Sequence, residues 1–255
     1  VSEIKIWDGS QWIPVFRIKH WDGSAWKTAK AGYHWNGSTW VKFWPPPFGT
    51  VIRWANTPAT FATGIGGDAD TIWYCDSDLD KLYELSIVDF SVVRSAPAFI
   101  SGESYGPYGI GGDSSVIWNC DANPKVYEVS TIDFSAVRSA NSPGPGASGI
   151  GGDSSVIWHC DAGHSKVYEL SVSDFSVVRS AGCPSTFPFG MGGDADAIWH
   201  CDDDADKIYE LSTSDFSVVR SEDSPGTGPF GIGGETAVIW YCDVDSDAVA
   251  ELGAG

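Results

Sequence analysis

Methionine is almost missing from this chain: Met191 is the single one in 255 residues. The first residue is Val1, so the initiator is expected to have been excised or processed away. Positive charge is scarce as well, 15 Lys and Arg against 34 Asp and Glu, for a net charge of −19. The scarcity is uneven. Residues 1–50 carry six basic and three acidic side chains (+3), and the remainder carries nine and 31 (−22). An acidic body of that kind repels phosphate, so no nucleic acid is expected as a partner. No apolar run reaches the roughly 18 residues of a membrane-spanning helix, and no signal peptide is visible. No stretch keeps a 3.6-residue apolar period, which leaves almost no room for helix. Cys-x-x-Cys pairs, a phosphate loop, His-Glu-x-x-His and a Ser-His-Asp order are all lacking. No cofactor, no metal and no catalytic residue are therefore expected, and the chain reads as not an enzyme.

What is abundant is glycine, 30 residues, and tryptophan, 13. Both fall into a repeat. The anchor glycines are Gly64, Gly109, Gly149, Gly190 and Gly231, spaced 45, 40, 41 and 41 residues apart. The unit is clearest from Gly190 to Ser221. A Gly-x-Gly-Gly run comes first, then Ile-Trp-x-Cys-Asp, then Lys-x-Tyr-Glu-Leu, then Val-Val-Arg-Ser. Four strand-like runs within 40–45 residues are the signature of a β-propeller blade. The glycine run is expected nearest the axis, where blades converge and backbones approach closely. Trp73, Trp118, Trp158, Trp199 and Trp240 are expected between blades. The last unit stops after its third strand, and a spare fourth strand, Val51–Ala55, lies upstream with Arg53 matching Arg94, Arg138, Arg179 and Arg220. The predicted fold is all-β: a five-bladed β-propeller over residues 51–255, each blade four-stranded, the last closed by the strand at 51–55 against Ala248–Leu252. That pairing removes two exposed edges. The last unit is also degenerate, with Ala248 where the others have Lys and Ala250 where they have Tyr.

Residues 1–44 hold a second repeat of 14 residues: Trp7-Asp-Gly-Ser-Gln-Trp12, Trp21-Asp-Gly-Ser-Ala-Trp26 and Trp35-Asn-Gly-Ser-Thr-Trp40. Asp-Gly and Asn-Gly suit two-residue hairpin turns, which need positive φ at both positions. The reading is a small arm of three β-hairpins or a six-stranded meander. Trp7, Trp12, Trp21, Trp26, Trp35 and Trp40 are its candidate assembly residues, because a lone hairpin is marginal in water and seeks partners. Asn36 begins a formal glycosylation sequon, but its match to Asp8 and Asp22 marks it as a turn residue. Pro45-Pro46-Pro47 opens a spacer, residues 45–50, between arm and propeller.

The segment Ile4-Lys-Ile-Trp-Asp-Gly-Ser-Gln-Trp-Ile-Pro-Val15 resembles the Trp-Asp-Gly-x-x-Trp segments of tailed-phage structural proteins, tail and decoration proteins among them. The blade units resemble NHL- and YVTN-like propellers through Gly-Ile-Gly-Gly-Asp, Ile-Trp-x-Cys-Asp and Lys-Val-Tyr-Glu-Leu. The second resemblance implies a fold and little about activity, since propellers host unrelated functions.

Five of six cysteines recur at one blade position, Cys75, Cys120, Cys160, Cys201 and Cys242, too far apart around a ring for disulfides. They read as small buried hydrophobes. Cys183, in a loop, reads as the reactive one. Free thiols point to synthesis in a reducing compartment. Asp76, Asp121, Asp161, Asp202 and Asp243 recur after the cysteines and read as turn-forming carboxylates; three units extend this to Asp-x-Asp-x-Asp, which lacks the Gly and Glu of a calcium loop. His159 and His200 stand at a variable position, which suggests a polar pocket. The loops between blades vary most. Their aromatics Phe61, Tyr105, Tyr108, Phe187, Phe189 and Phe230 form the candidate binding face, since variable loops on a rigid scaffold are the usual seat of binding. Glu103, Glu222 and Asp223 are the loop acids a glycosidase or lyase would need, without the paired arrangement.

The functional expectation is a non-enzymatic structural or adhesion protein of a virus particle, a phage tail or capsid decoration made in the host cytoplasm. Its arm would bind other virion subunits or a second copy, and its propeller would face outward, toward a host-surface glycan. Alternatives are a lectin-like glycan-binding propeller and a subunit of an extracellular filament; a glycosidase or lyase ranks behind them.

Overall fold

The structure, a computed structural model, describes residues 46–98 and 106–255 in full, and in the first 44 residues the backbone of six strands. Those six form three separate two-stranded antiparallel sheets: β1 (Lys5–Trp7) with β2 (Trp12–Pro14), β3 (Lys19–Trp21) with β4 (Trp26–Thr28), and β5 (Gly32–Trp35) with β6 (Trp40–Trp44). Trp7 pairs with Trp12, Trp21 with Trp26 and Trp35 with Trp40 in register. The turns between them, Asn36 included, lie outside the described residues.

The other strands make a five-bladed β-propeller, and the described residues contain no helix. Blade 1 is β8 (Ala62–Gly67), β9 (Ile72–Asp76), β10 (Lys81–Leu85) and β11 (Val92–Pro97). Blade 2 is β12 (Pro107–Gly112), β13 (Ile117–Asp121), β14 (Lys125–Val129) and β15 (Ala136–Asn141). Blade 3 is β16 (Ala147–Gly152), β17 (Ile157–Asp161), β18 (Lys166–Leu170) and β19 (Val177–Gly182). Blade 4 is β20 (Pro188–Gly193), β21 (Ile198–Asp202), β22 (Lys207–Leu211) and β23 (Val218–Asp223). Blade 5 joins β24 (Pro229–Glu235), β25 (Val238–Asp243) and β26 (Ala248–Leu252) to β7 (Val51–Asn56), as the sequence predicts, with Val249 opposite Ala55 and Glu251 opposite Arg53.

The glycine strand lines the axis because nothing larger fits. A Cβ placed on Gly111 meets the Cα of Gly151 at 2.8 Å, and the same crowding runs on from Gly151 to Gly192, to Gly233, to Gly66 and back to Gly111. Hydrophobic packing therefore lies in the five seams between blades. In one seam Trp73, Cys75 and Leu82 of blade 1 meet Ile110, Ile117, Tyr127 and Phe134 of blade 2. Each of the five repeated tryptophans, Trp73, Trp118, Trp158, Trp199 and Trp240, is under 3% exposed. At about 25 cal/mol per Å² of apolar surface, these rings are the largest single contributors to each seam.

A polar clamp fastens the outer edge. Each repeated arginine pairs through Nε with a glutamate on the third strand of its own blade, as in Arg94–Glu84 (2.5 Å) and Arg53–Glu251 (2.7 Å). Its terminal nitrogens donate to carbonyls of the Ser-x-x-Asp-Phe turn in the next blade, Thr131 and Ile132 for Arg94. Its plane lies over the Phe of that turn, 4.6 Å from the Phe134 centroid. Phe90, Phe134, Phe175 and Phe216 sit at φ of 60–62°, in the left-handed region. That costs a bulky residue free energy, which the edge-on contact with the preceding blade's Trp and the arginine above it offset.

Blade 5 is split and has no such turn. Pro46–Thr50 rebuilds it, so this stretch does not stand off as a spacer. Gly49 donates to Gly253 O (3.0 Å), Gly253 to Thr50 O (2.8 Å) and Gly255 to Pro46 O (3.1 Å). Phe48, 8% exposed, stacks on Trp199 at 5.7 Å and lies under Arg220 at 4.5 Å. Arg220 donates to Ala254 O in place of the turn carbonyls.

Candidate functional site at one mouth of the ring

The loops between blades and the turns between second and third strands share one end of the disc. At that end every inner strand carries a β-bulge. Gly190 pairs with Cys201 and Pro188 with Asp202, which leaves Phe189 as the extra residue; Tyr108, Phe230, Thr63 and Ser148 are extra in the same way. A bulge re-aims a side chain. Two of these five seal the seam: Thr63 Oγ1 donates to Pro107 O (2.6 Å) and Ser148 Oγ to Pro188 O (2.7 Å).

The phenylalanines converge. Phe189 and Phe230 stack at 3.9 Å, Phe187 meets Phe189 at 5.1 Å, and Phe61 meets Phe230 edge-on at 6.1 Å. Phe187 is 43% exposed and the other three are half-buried. Tyr108 is half-buried on the neighbouring bulge, without a ring contact to this group that would join it to the stack. Tyr105 and Glu103 lie outside the described residues. At the opposite end ten glycines, Gly66 and Gly67 and their equivalents, close the axis and leave no cavity large enough for a water molecule. Gly67, Gly112, Gly152, Gly193 and Gly234 there adopt φ of 139–145°, and a Cβ at any of them would strike a carbonyl at about 2 Å.

Acidic turns border the phenylalanine mouth. The repeated aspartates are buried, and Asp76, Asp161, Asp202 and Asp243 bind two loops each, whereas Asp121 accepts from Lys125 N and the Tyr127 hydroxyl. Asp202 accepts from Ala205 N and Phe187 N, and Asp161 from His164 N and Gly146 N, so each ties its own turn to the incoming inter-blade loop. For Asp243, burial raises the carboxyl, but donors on Ser246, Gly228 and Tyr241 outweigh it and hold the group below its ordinary value. Asp203 is held above its ordinary value by burial and by the charges of Asp245, Asp206, Asp204 and Asp202. The first aspartates of the Asp-x-Asp-x-Asp runs are thus occupied by backbone donors. Among the described residues no three His, Cys, Asp or Glu side chains gather as a metal site.

Several expectations change. His159 and His200 do not face a polar pocket. Both are fully buried inside their blades, with Nδ1 at 2.8 and 2.9 Å from Gly149 O and Gly190 O and the ring against Tyr168 or Tyr209. Burial pushes both down to about 4. Cys183 is not poised for reaction: it is half-buried against Val156, Trp158 and their neighbours, and burial pushes its thiol up, away from thiolate. All six cysteines are free, and four of the repeated five point Sγ at a carbonyl of the next blade. Glu222 and Asp223 are exposed on the outer strand, with Asp223 paired to Lys207 at 2.7 Å, so they do not line the mouth.

Comparison with known proteins adds fold and little else. The glutaminyl cyclase of Myxococcus xanthus superposes with a TM-score of 0.64 at 14% identity, over 79% of this chain and 94% of that one. A catalytically inactive virginiamycin B lyase from Staphylococcus aureus, solved with quinupristin, gives 0.49 at 16% identity over 77% and 67%. The β-propeller domain of Cps50 (Swd1) from Myceliophteria thermophila gives 0.48 at 8% over 81% and 99%. No protein-family model matches the chain, and no curated protein does. At these identities the shared feature is the propeller.

Proposed function

We propose that this chain is a non-enzymatic adhesion and assembly protein of a virus particle, a phage tail or capsid decoration, with the propeller displayed outward. The stacked Phe61, Phe187, Phe189 and Phe230 carry the reading. Phe189 and Phe230 stand on the bulges of inner strands and Phe61 and Phe187 just before such strands, and together they form an apolar patch within a strongly acidic domain. Such a patch costs solubility unless something covers it. The hairpin repeat, with its paired tryptophan positions, is the assembly arm, and its partners are other virion subunits or a second copy of this chain. Light scattering on the full chain and on residues 46–255 tests this; the shorter form must keep Phe48. Assembly of the full chain with a monomeric propeller supports the reading, and two monomers refute it.

The half-exposed aromatic faces also favour a second reading, a lectin-like module stacking sugar rings. A glycan array decides: binding by the propeller, lost in Phe230→Thr, would move the assignment there.

A further inference from the structure

One row of paired positions crosses each blade from second to fourth strand. It reads Tyr74–Tyr83–Ser95, Asn119–Tyr127–Ser139, His159–Tyr168–Ser180 and His200–Tyr209–Ser221 in the first four blades. In blade 5 it reads Tyr241–Ala250–Trp54. The central tyrosine ring packs on its second-strand neighbour where that is aromatic, at 5.4 Å on Tyr74, 6.0 Å on His159 and 5.8 Å on His200. Blade 5 has lost that ring and has placed an indole at the row's outer end. The row at the mouth-ward end of the third strand changes with it. Lys81, Lys125, Lys166 and Lys207 oppose the buried aspartates of four blades, whereas Ala248 opposes Asp243.

Both losses open into one cleft of about 360 Å³, lined by Trp54, Pro225, Tyr241, Asp243, Ala248 and Ala250 among others. That volume falls within the range of about 300–1,000 Å³ usual for ligand sites. Trp54 is 66% exposed. Strands are about 4.8 Å apart, so Tyr241 and Trp54 stand roughly 10 Å from each other, room for one planar ring between two. Residues 229–255 contain no Lys or Arg, and Asp243, Asp245 and Asp247 occupy the adjoining turn. Arg53, one strand position away, is committed to Glu251 and to carbonyls of blade 1.

We infer that blade 5 carries a binding cleft for an arylalkylammonium group: a phenol-sized ring held between Tyr241 and Trp54, with a cationic amine on a short chain beside the Asp243 turn. The sibling blades specify this occupant, since they carry a tyrosine ring at the position of Ala250 and a lysine at the position of Ala248. The inference is independent of the phenylalanine mouth. The same group occurs as a free amine or as a tyrosine beside a lysine in a basic peptide.

The test uses the full chain and millimolar tyramine, read by thermal shift and by titration calorimetry, with methyl glucoside as control. Tyramine is expected to raise Tm and methyl glucoside to leave it unchanged. Ala250→Tyr, which installs the siblings' own ring, is expected to abolish the shift. Trp54→Ser, again the sibling residue, is expected to weaken binding at least tenfold, and it decides the matter if the first variant folds poorly. A Lys-Tyr dipeptide amide binding tighter than tyramine marks the site as a peptide side-chain receptor, and the reverse marks it as an amine site; both uphold the cleft. No shift in the parent chain, an equal shift in Ala250→Tyr, or a shift with the sugar in place of tyramine overturns it.

Discussion

Arg53→Met is expected to destabilise the propeller by about 3–5 kcal/mol, the range for breaking one side of a buried ion pair. The residue joins three parts of the ring. It lies on the N-terminal strand, pairs with Glu251 on the C-terminal strand at 2.7 Å, and donates to Ile87 O and Val88 O of blade 1 at 2.5 and 2.6 Å. Its guanidinium lies 4.3 Å over the Phe90 ring. Glu251 is only 2% exposed, and losing its partner strands a buried carboxylate. Arg138→Met removes the same contacts at an internal seam, but Arg138 and Glu128 are 32% and 25% exposed, and water replaces much of what is lost. That variant should lose about 1–2 kcal/mol, as expected of partly solvated charged hydrogen bonds. In urea, with a slope of about 2–3 kcal/mol per M, the two midpoints should separate by roughly 1 M. Hydrogen exchange should show the extra loss of Arg53→Met in the amides of Val51–Asn56 and Ala248–Leu252. Equal midpoints for the two variants would refute the argument that burial and ring closure set this clamp apart.

Acid should act through the two buried histidines. Their folded values of about 4 lie below the ordinary 6.5, so between those values the unfolded chain binds more protons. Stability should therefore fall as pH drops from about 6.5 to 4, and the combined His159→Asn and His200→Asn variant should flatten that limb of the pH–stability curve, because Asn119 makes the same bond to Gly109 O at 2.7 Å without titrating. Cys183→Ser should stabilise by about 0.5–1.5 kcal/mol: Ser142, at the matching position, bonds His159 Nε2 at 3.0 Å, while His200 Nε2 is buried without a partner. Calorimetry that shows no gain would mean the hydroxyl does not reach. Phe48→Ala should cost about 3–5 kcal/mol by chemical denaturation, far more than a spacer residue would; a change under about 0.5 kcal/mol, typical of surface sites, would show that Pro46–Thr50 does not rebuild the missing turn.

The blade count, the strand order and the closing strand were legible in the residues, because a repeat writes the same local pattern five times and a missing strand at one end matches a spare at the other. Tryptophan, cysteine and aspartate roles followed from the same repetition, since a part present in every blade serves the ring. What departs from the repeat needed three dimensions. Phe48 sits outside any repeat unit, and only packing shows it filling the place that Phe90, Phe134, Phe175 and Phe216 fill elsewhere. Phe61 and Phe230 are far apart along the chain and meet because ring closure brings blades 1 and 5 together. The alanines of the last blade were visible as oddities, but a missing side chain becomes a cleft only when register sets Trp54 and Tyr241 on either side of it. Local pattern decides which residues form strands and which faces they bury. Which distant side chains face each other across a seam, and which volumes stay unfilled, depends on how the sheets close on themselves, and that is a property of the ring.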